Sequence, residues 1–119
     1  MHELSICEEI REIVLSSARE NGLATVTDVG VRIGVLSCVD PAALEFCFRS
    51  VMAGSIAAAA ALHIETTAAS ADCGACGTSY SVSTRYEPCP VCGTLGNRIT
   101  SGDELQVSRI AGDTGPPST

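Results

Sequence analysis

The sequence predicts an α+β fold: a small sheet of about three strands with two helices, interrupted by an inserted four-cysteine ribbon domain. Three observations lead there. Residues 3–21 repeat apolar side chains at three- and four-residue steps, residues 29–35 alternate, and two Cys-x-x-Cys motifs sit in a late stretch of small and polar residues.

The first helix covers 3–21, with Leu4, Cys7, Ile10, Val14 and Ala18 on one stripe. Glu8, Glu9, Arg11, Glu12, Arg19 and Glu20 fill much of the rest, and Gly22 is a natural stop. The period then becomes two. Val29, Val31, Ile33 and Val35 alternate with Gly30, Arg32 and Gly34, the pattern of a half-buried strand. The two glycines point to close backbone approach or curvature. Asp40-Pro41 opens the second helix: Asp40 suits the N-cap and Pro41 the first helical position. Leu44, Cys47, Phe48 and Val51 form its stripe, and Gly54 interrupts it. The alanine run Ala57 to Ala61 is expected to be a further short helical piece, and Leu62 to Glu65 a second strand beside the first.

Composition changes near Thr66. Ala68 to Asp72 reads as a small-residue linker, and the Ser/Thr/Tyr-rich stretch between the Cys-x-x-Cys motifs suits a short hairpin. Leu105 and Val107 begin a third strand, Glu104 to Ile110, expected to rejoin the first sheet. That makes the cysteine segment an insertion. The expected division is 1–69 with 101–111, an inserted 70–100, and a polar tail, 112–119, expected to be disordered.

Charge narrows the function classes. The formal net charge is −7, and all seven basic residues are arginine. Such a chain repels phosphate backbones and lacks the basic face of a membrane-surface helix, so neither nucleic acid nor membrane is an expected partner. The start, Met-His-Glu-Leu-Ser, lacks the charged and apolar regions of a secretion signal, which favours the cytoplasm. There, paired Cys-x-x-Cys motifs read as metal ligands rather than disulfides.

Cys73-Gly74-Ala75-Cys76 and Cys89-Pro90-Val91-Cys92 are separated by twelve residues, and Gly77 and Gly93 follow each second cysteine. A two-residue gap lets both sulfurs of a knuckle face one point, and four thiolates suit tetrahedral zinc. Iron, a pair of disulfides or merely packed thiols are the alternatives; zinc is the default for a ribbon without an aromatic shell. Four thiolates and one divalent ion take the net charge from −7 to about −9. A site closed by four protein ligands is structural and non-enzymatic; a zinc hydrolase needs an open position and a base. Cys7 and Cys47 are expected to be buried free thiols. Cys38, just before Asp40, is the one to check for reactivity.

The chain's first residues form a second metal-binding candidate. The Met1 amine, the His2 amide and imidazole, and Glu3 can close fused chelate rings that favour Ni(II) or Cu(II) over zinc. Against this stands the plain reading of His2 as a solvated terminal residue. His63, within the second strand, is expected to be a half-exposed strand residue.

The start Met1-His2-Glu3-Leu4-Ser5, the run Ile33 to Leu44, the two knuckles and Gly102-Asp103-Glu104-Leu105 together resemble the HypA family, nickel chaperones of nickel–iron hydrogenase maturation. The resemblance extends to about Ile110. It implies a nickel-binding α/β domain and a zinc domain whose ligands match Cys73, Cys76, Cys89 and Cys92. It implies His2 as the essential nickel ligand, backbone nitrogens from Met1 and Glu3, and Asp40 as a candidate extra oxygen ligand. Its implied partners are the GTPase HypB and the hydrogenase large-subunit precursor, with urease a client of some members. Whether the chain is a homodimer stays open. The alanine run 57–61 departs from the Glu-Gly pair usual in the family, and the tail past Ile110 has no clear counterpart. The competing reading is a zinc-ribbon interaction module without nickel cargo.

Overall fold

The computed structural model describes residues 2–114, with His2 given by its backbone alone. Its elements follow the order α1 (His2–Glu20), β1 (Thr25–Gly34), α2 (Pro41–Met52), β2 (Ala61–Thr67), β3 (Ala69–Asp72), β4 (Ser79–Val82), β5 (Arg98–Ser101) and β6 (Leu105–Asp113). They form two three-stranded sheets, with orders β2-β1-β6 and β4-β3-β5. The chain divides into two compact units. One comprises Met1–Val31, Val39–Ile64 and Val107–Thr119; the other comprises Arg32–Cys38 and Glu65–Gln106.

In the first unit, α1 and α2 pack on each other because each has one apolar stripe to bury. Cys7, Ile10, Val14 and Ala18 are buried on α1, as are Leu44, Phe48 and Met52 on α2 and Val26, Val29 and Val31 on β1. Leu4 remains partly exposed, and Cys47 and Val51 are half-buried while Met52 is buried. The expected α2 stripe is therefore rotated toward Met52. Two bonds tie the helices: Cys7 Sγ to the Leu44 carbonyl at 3.3 Å, and the Arg11 guanidinium to the Val51 carbonyl. Asp40 caps α2, its Oδ1 accepting the Ala42 amide at 3.0 Å.

The expected helical piece at 57–61 does not form. Gly54 turns at φ +79°, and Ser55, Ala58 and Ala60 each donate to a carbonyl three residues back. A helix of four or five residues has too few hydrogen bonds to offset its nucleation cost, so the run stays a chain of turns with Ala57 buried.

The second unit has its own core of Leu36, Ala69, Ala71 and Val82, with Tyr80 and Ile99 against it. The expected linker Ala68 to Asp72 is instead mostly β3, the central strand of the second sheet. Ala69 and Ala71 face inward and Ser70 and Asp72 outward, so the period of two is present but muted by small side chains. Strand β4 pairs with β3 in register Ala69↔Val82 to Asp72↔Ser79, not with a neighbour between the knuckles. The expected hairpin gives way because Glu87 Oε2 accepts the Ser83 and Thr84 amides and closes the following loop. This unit reaches beyond residues 70–100 at both ends. Gly112 and Asp113 belong to β6, and Gly115–Thr119 lie outside the described residues.

The glycines of β1 do allow close approach. A Cβ on Gly34 would fall 2.1 Å from the Gly102 carbonyl carbon, within the second unit. A Cβ on Gly102, whose φ is +104°, would fall 2.2 Å from that of Ala69.

Candidate metal centre

Each knuckle folds the same way because each repeats one sequence, Cys-x-x-Cys-Gly-Thr, at 73–78 and 89–94. In the first, the Cys73 amide donates to the Thr78 carbonyl at 2.9 Å and the Gly77 amide to the Cys73 carbonyl at 2.9 Å. In the second, Cys89 donates to Thr94 at 3.0 Å and Gly93 to Cys89 at 2.8 Å. Gly77 and Gly93 both sit at φ +77°, a conformation that glycine reaches at little cost. The threonines repeat the symmetry: Thr78 Oγ1 lies 3.1 Å from Cys76 Sγ, and Thr94 Oγ1 lies 3.1 Å from Cys92 Sγ.

All four cysteine sulfurs lie within 4.8 Å of one another, the one group of this kind among the described residues. Cys73 Sγ is 3.5 Å from Cys92 Sγ, and Cys76 Sγ is 3.7 Å from Cys89 Sγ. All four are free thiols. A tetrahedron with metal–sulfur bonds of about 2.3 Å has edges of about 3.8 Å, so the cluster fits a tetrathiolate ion site without rearrangement. Cys73 and Cys89 are buried, Cys76 and Cys92 exposed.

The local electrostatics favour a thiolate at Cys73 and Cys76 but oppose one at Cys89. Amides of Cys76 and then Ala75 pull the Cys73 thiol down to about 6, and Thr78 lowers Cys76. Cys89 accepts the matching amides of Cys92 and Val91 yet stands raised, because burial and the neighbouring sulfurs of Cys76 and Cys92 oppose them. A bound divalent cation removes that repulsion.

A further set of contacts, involving residues without metal-ligand chemistry, ties the knuckles together. Asn97 Oδ1 accepts the Gly74 amide at 3.3 Å; its Nδ2 donates to the Thr94 carbonyl at 2.8 Å and to Tyr80 Oη at 2.7 Å. Tyr80 in turn donates to the Glu87 carbonyl at 3.1 Å. The repeated Cys-x-x-Cys-Gly-Thr string was the signal that could have marked the threonines; nothing local in sequence marks Asn97 or Tyr80.

The candidate residues at the chain start are placed only in part. Met1 lies outside the described residues, as does the His2 side chain. Glu3 Oε2 accepts the Asp40 amide at 3.4 Å, which brings the starts of α1 and α2 together. Asp40 is exposed. His63 is an exposed β2 residue whose Nε2 is 2.8 Å from Asp28 Oδ1, and it is not one of the clustered metal-ligand residues. Cys38 is exposed at φ +62°, and Cys7 is fully buried with its thiol pushed up to about 11, chiefly by burial.

Comparison with known proteins identifies the lineage. The family described as hydrogenase/urease nickel incorporation metallochaperone, hypA, matches residues 1–112. The chain belongs to the HypA family. Hydrogenase maturation factor HypA 2 of Bradyrhizobium diazoefficiens is 44% identical over 113 residues, spanning 95% of this chain and all of that one, 100%. The HypA of Geobacter sulfurreducens is 40% identical, covering 92% of this chain and 97% of the other. The fold agrees with a solution structure of the Ni metallochaperone HypA from Helicobacter pylori, at a TM-score of 0.71, 21% identity, and coverage of 93% and 97%.

Proposed function

We propose that the protein carries Ni(II) at its N-terminus as cargo for nickel–iron hydrogenase maturation and keeps zinc in its four-cysteine centre as a permanent structural ion. HypA-family membership over residues 1–112 carries this reading.

Two further observations support it. The four-sulfur cluster has the size and donor set that zinc favours, and all four positions belong to protein, which leaves none for substrate. At the other site, helix α1 begins at His2, so the amides of His2 and Glu3 fall in a first turn where no intrahelical acceptor uses them. Those nitrogens, with the Met1 amine and the His2 imidazole, are the donors a tetragonal nickel ion takes. The positive end of the helix dipole favours the deprotonated amides that such binding needs. Asp40, beside Glu3, offers a carboxylate. Binding and release of nickel, rather than bond chemistry, is then the activity, with HypB and the hydrogenase large-subunit precursor as partners in the cytoplasm.

Nickel and zinc titration of the purified protein tests this. Wild type should bind one nickel and one zinc per chain, and His2→Ala should lose nickel while retaining zinc. If His2→Ala binds nickel as tightly as wild type, the terminal site is wrong. Zinc without nickel in the wild type would instead favour an interaction module.

A further inference from the structure

Asn97 joins three points of the second unit that the chain separates. Its Oδ1 takes the amide of Gly74, inside the first knuckle, at 3.3 Å. Its Nδ2 gives one proton to the carbonyl of Thr94, just after the second knuckle, at 2.8 Å, and the other to Tyr80 Oη at 2.7 Å. Tyr80 passes its own proton to the carbonyl of Glu87, two residues before Cys89, at 3.1 Å. An amide N–H can only donate and a carbonyl can only accept, so Gly74 and Thr94 fix which way the Asn97 amide faces. Only a side chain with an acceptor and two donors on one short planar group fills this position.

The backbone is shaped for the same purpose. Gly96 sits at φ +73°, in the region where glycine is favoured, and turns the chain just before Asn97. Asn97 itself is half-buried, so its hydrogen bonds are partly shielded from water. Each knuckle closes its own two sulfurs through internal amide bonds. Apart from the cysteines themselves, whose sulfurs meet across the centre, Asn97 is the described side chain that bonds to residues of both knuckle segments, Gly74 and Thr94.

We infer that Asn97, supported by Tyr80, is a positioning residue that sets the spacing of the two knuckles and thereby the affinity and geometry of the four-cysteine ion site. This rests on the reading of that site as a zinc centre. Residues that orient metal ligands from outside the coordination sphere typically alter affinity by about 10–100-fold.

The test uses the full chain. Asn97→Asp keeps the shape but presents oxygen to the Thr94 carbonyl and removes both donors; Tyr80→Phe removes only the hydroxyl. Zinc affinity is read by competition with a chromophoric chelator, and geometry by the thiolate-to-metal and ligand-field bands of protein saturated with Co(II). Asn97→Asp is expected to bind zinc about 10–100-fold more weakly with shifted Co(II) bands, and Tyr80→Phe to fall between it and wild type. Zinc affinity within twofold of wild type in Asn97→Asp overturns the proposal. So does weaker binding with an unchanged saturated Co(II) spectrum, which would mean general loss of stability rather than positioning. If Asn97→Asp does not fold, Tyr80→Phe decides by the same two readings. Failure of wild type to bind zinc at all would instead remove the zinc reading beneath it.

Discussion

The cysteine centre and the paired helix starts are built on opposite principles. In the cysteine centre, two copies of one knuckle converge, and every sulfur has a backbone or hydroxyl partner nearby. All four candidate ligands come from the protein, two of them buried and two exposed. At the helix starts, Glu3 and Asp40 touch through one long hydrogen bond of 3.4 Å, and Asp40 is exposed. On the proposed reading, the enclosed site suits an ion that stays and the open one an ion that must leave. Ligand exchange needs an open coordination position, which a site filled by four protein sulfurs does not provide.

The strongest way to break this contrast is Cys89→Ala. Structural zinc in small sites contributes about 10–16 kcal/mol of apparent binding energy that is also folding energy. On the zinc reading, the variant should lose the ion and lose hydrogen-exchange protection across β3, β4 and β5, while α1 and α2 stay protected. A zinc-replete variant with intact protection would show that the centre is not what holds its unit together.

Asp40 sharpens the other side, because it has two roles to separate. Asp40→Ala removes the cap of α2 and should cost about 0.5–2 kcal/mol, seen as a lower Tm. Asp40→Asn keeps the cap, since asparagine caps as well as aspartate, but removes the charge. If the carboxylate is a nickel ligand, both variants weaken nickel binding and only the alanine variant lowers Tm. Equal nickel affinity in all three proteins would make Asp40 a cap alone.

Cysteine reactivity gives a smaller distinction. Burial, the Cys47 thiol and the Glu3 carboxylate push Cys7 up to about 11. Alkylation of the native protein near pH 8 should therefore mark exposed Cys38 and spare Cys7, with mass spectrometry as the readout. The sign for stability follows. The folded state holds this proton more tightly than the unfolded thiol at 9.0, so the benefit is complete below about pH 9 and is lost as pH rises toward 11.

The smallest effect belongs to the surface pair of β1 and β2. The bond from His63, helped by Thr27, holds the Asp28 carboxyl below its ordinary 3.8. Its contribution is present above that value and is lost as pH falls through the lowered one. His63→Ala should therefore lower Tm slightly near neutral pH, with the difference shrinking as pH falls through the lowered Asp28 value and both forms become protonated there. A difference that persists there would have another origin.

Much of the fold was legible in local chemistry. The stripe Cys7, Ile10, Val14, Ala18 and the pair Asp40-Pro41 announce α1 and α2, because helix period and capping are properties of neighbouring residues. The alternation at Val29, Val31 and Ile33 does the same for β1. Strand β3 was hidden, since alanine and serine carry too little contrast to display a period of two, and its strand character comes from lying between β4 and β5. The helical expectation for 57–61 failed for the opposite reason: alanine favours helix, but the run is too short to nucleate one.

By itself, then, the sequence determined the ligand set and the shape of each knuckle. Cys-x-x-Cys-Gly-Thr closes through bonds spanning no more than five residues, and the glycine it needs is part of the string. Only the tertiary structure decided how the two knuckles meet. The contacts that hold them together join Gly74, Tyr80, Glu87, Thr94 and Asn97, and Leu36, distant in sequence, completes the core of their unit. The physical reason is range: a turn depends on its neighbours in the chain, whereas bringing four sulfurs within 4.8 Å depends on residues that only folding makes adjacent.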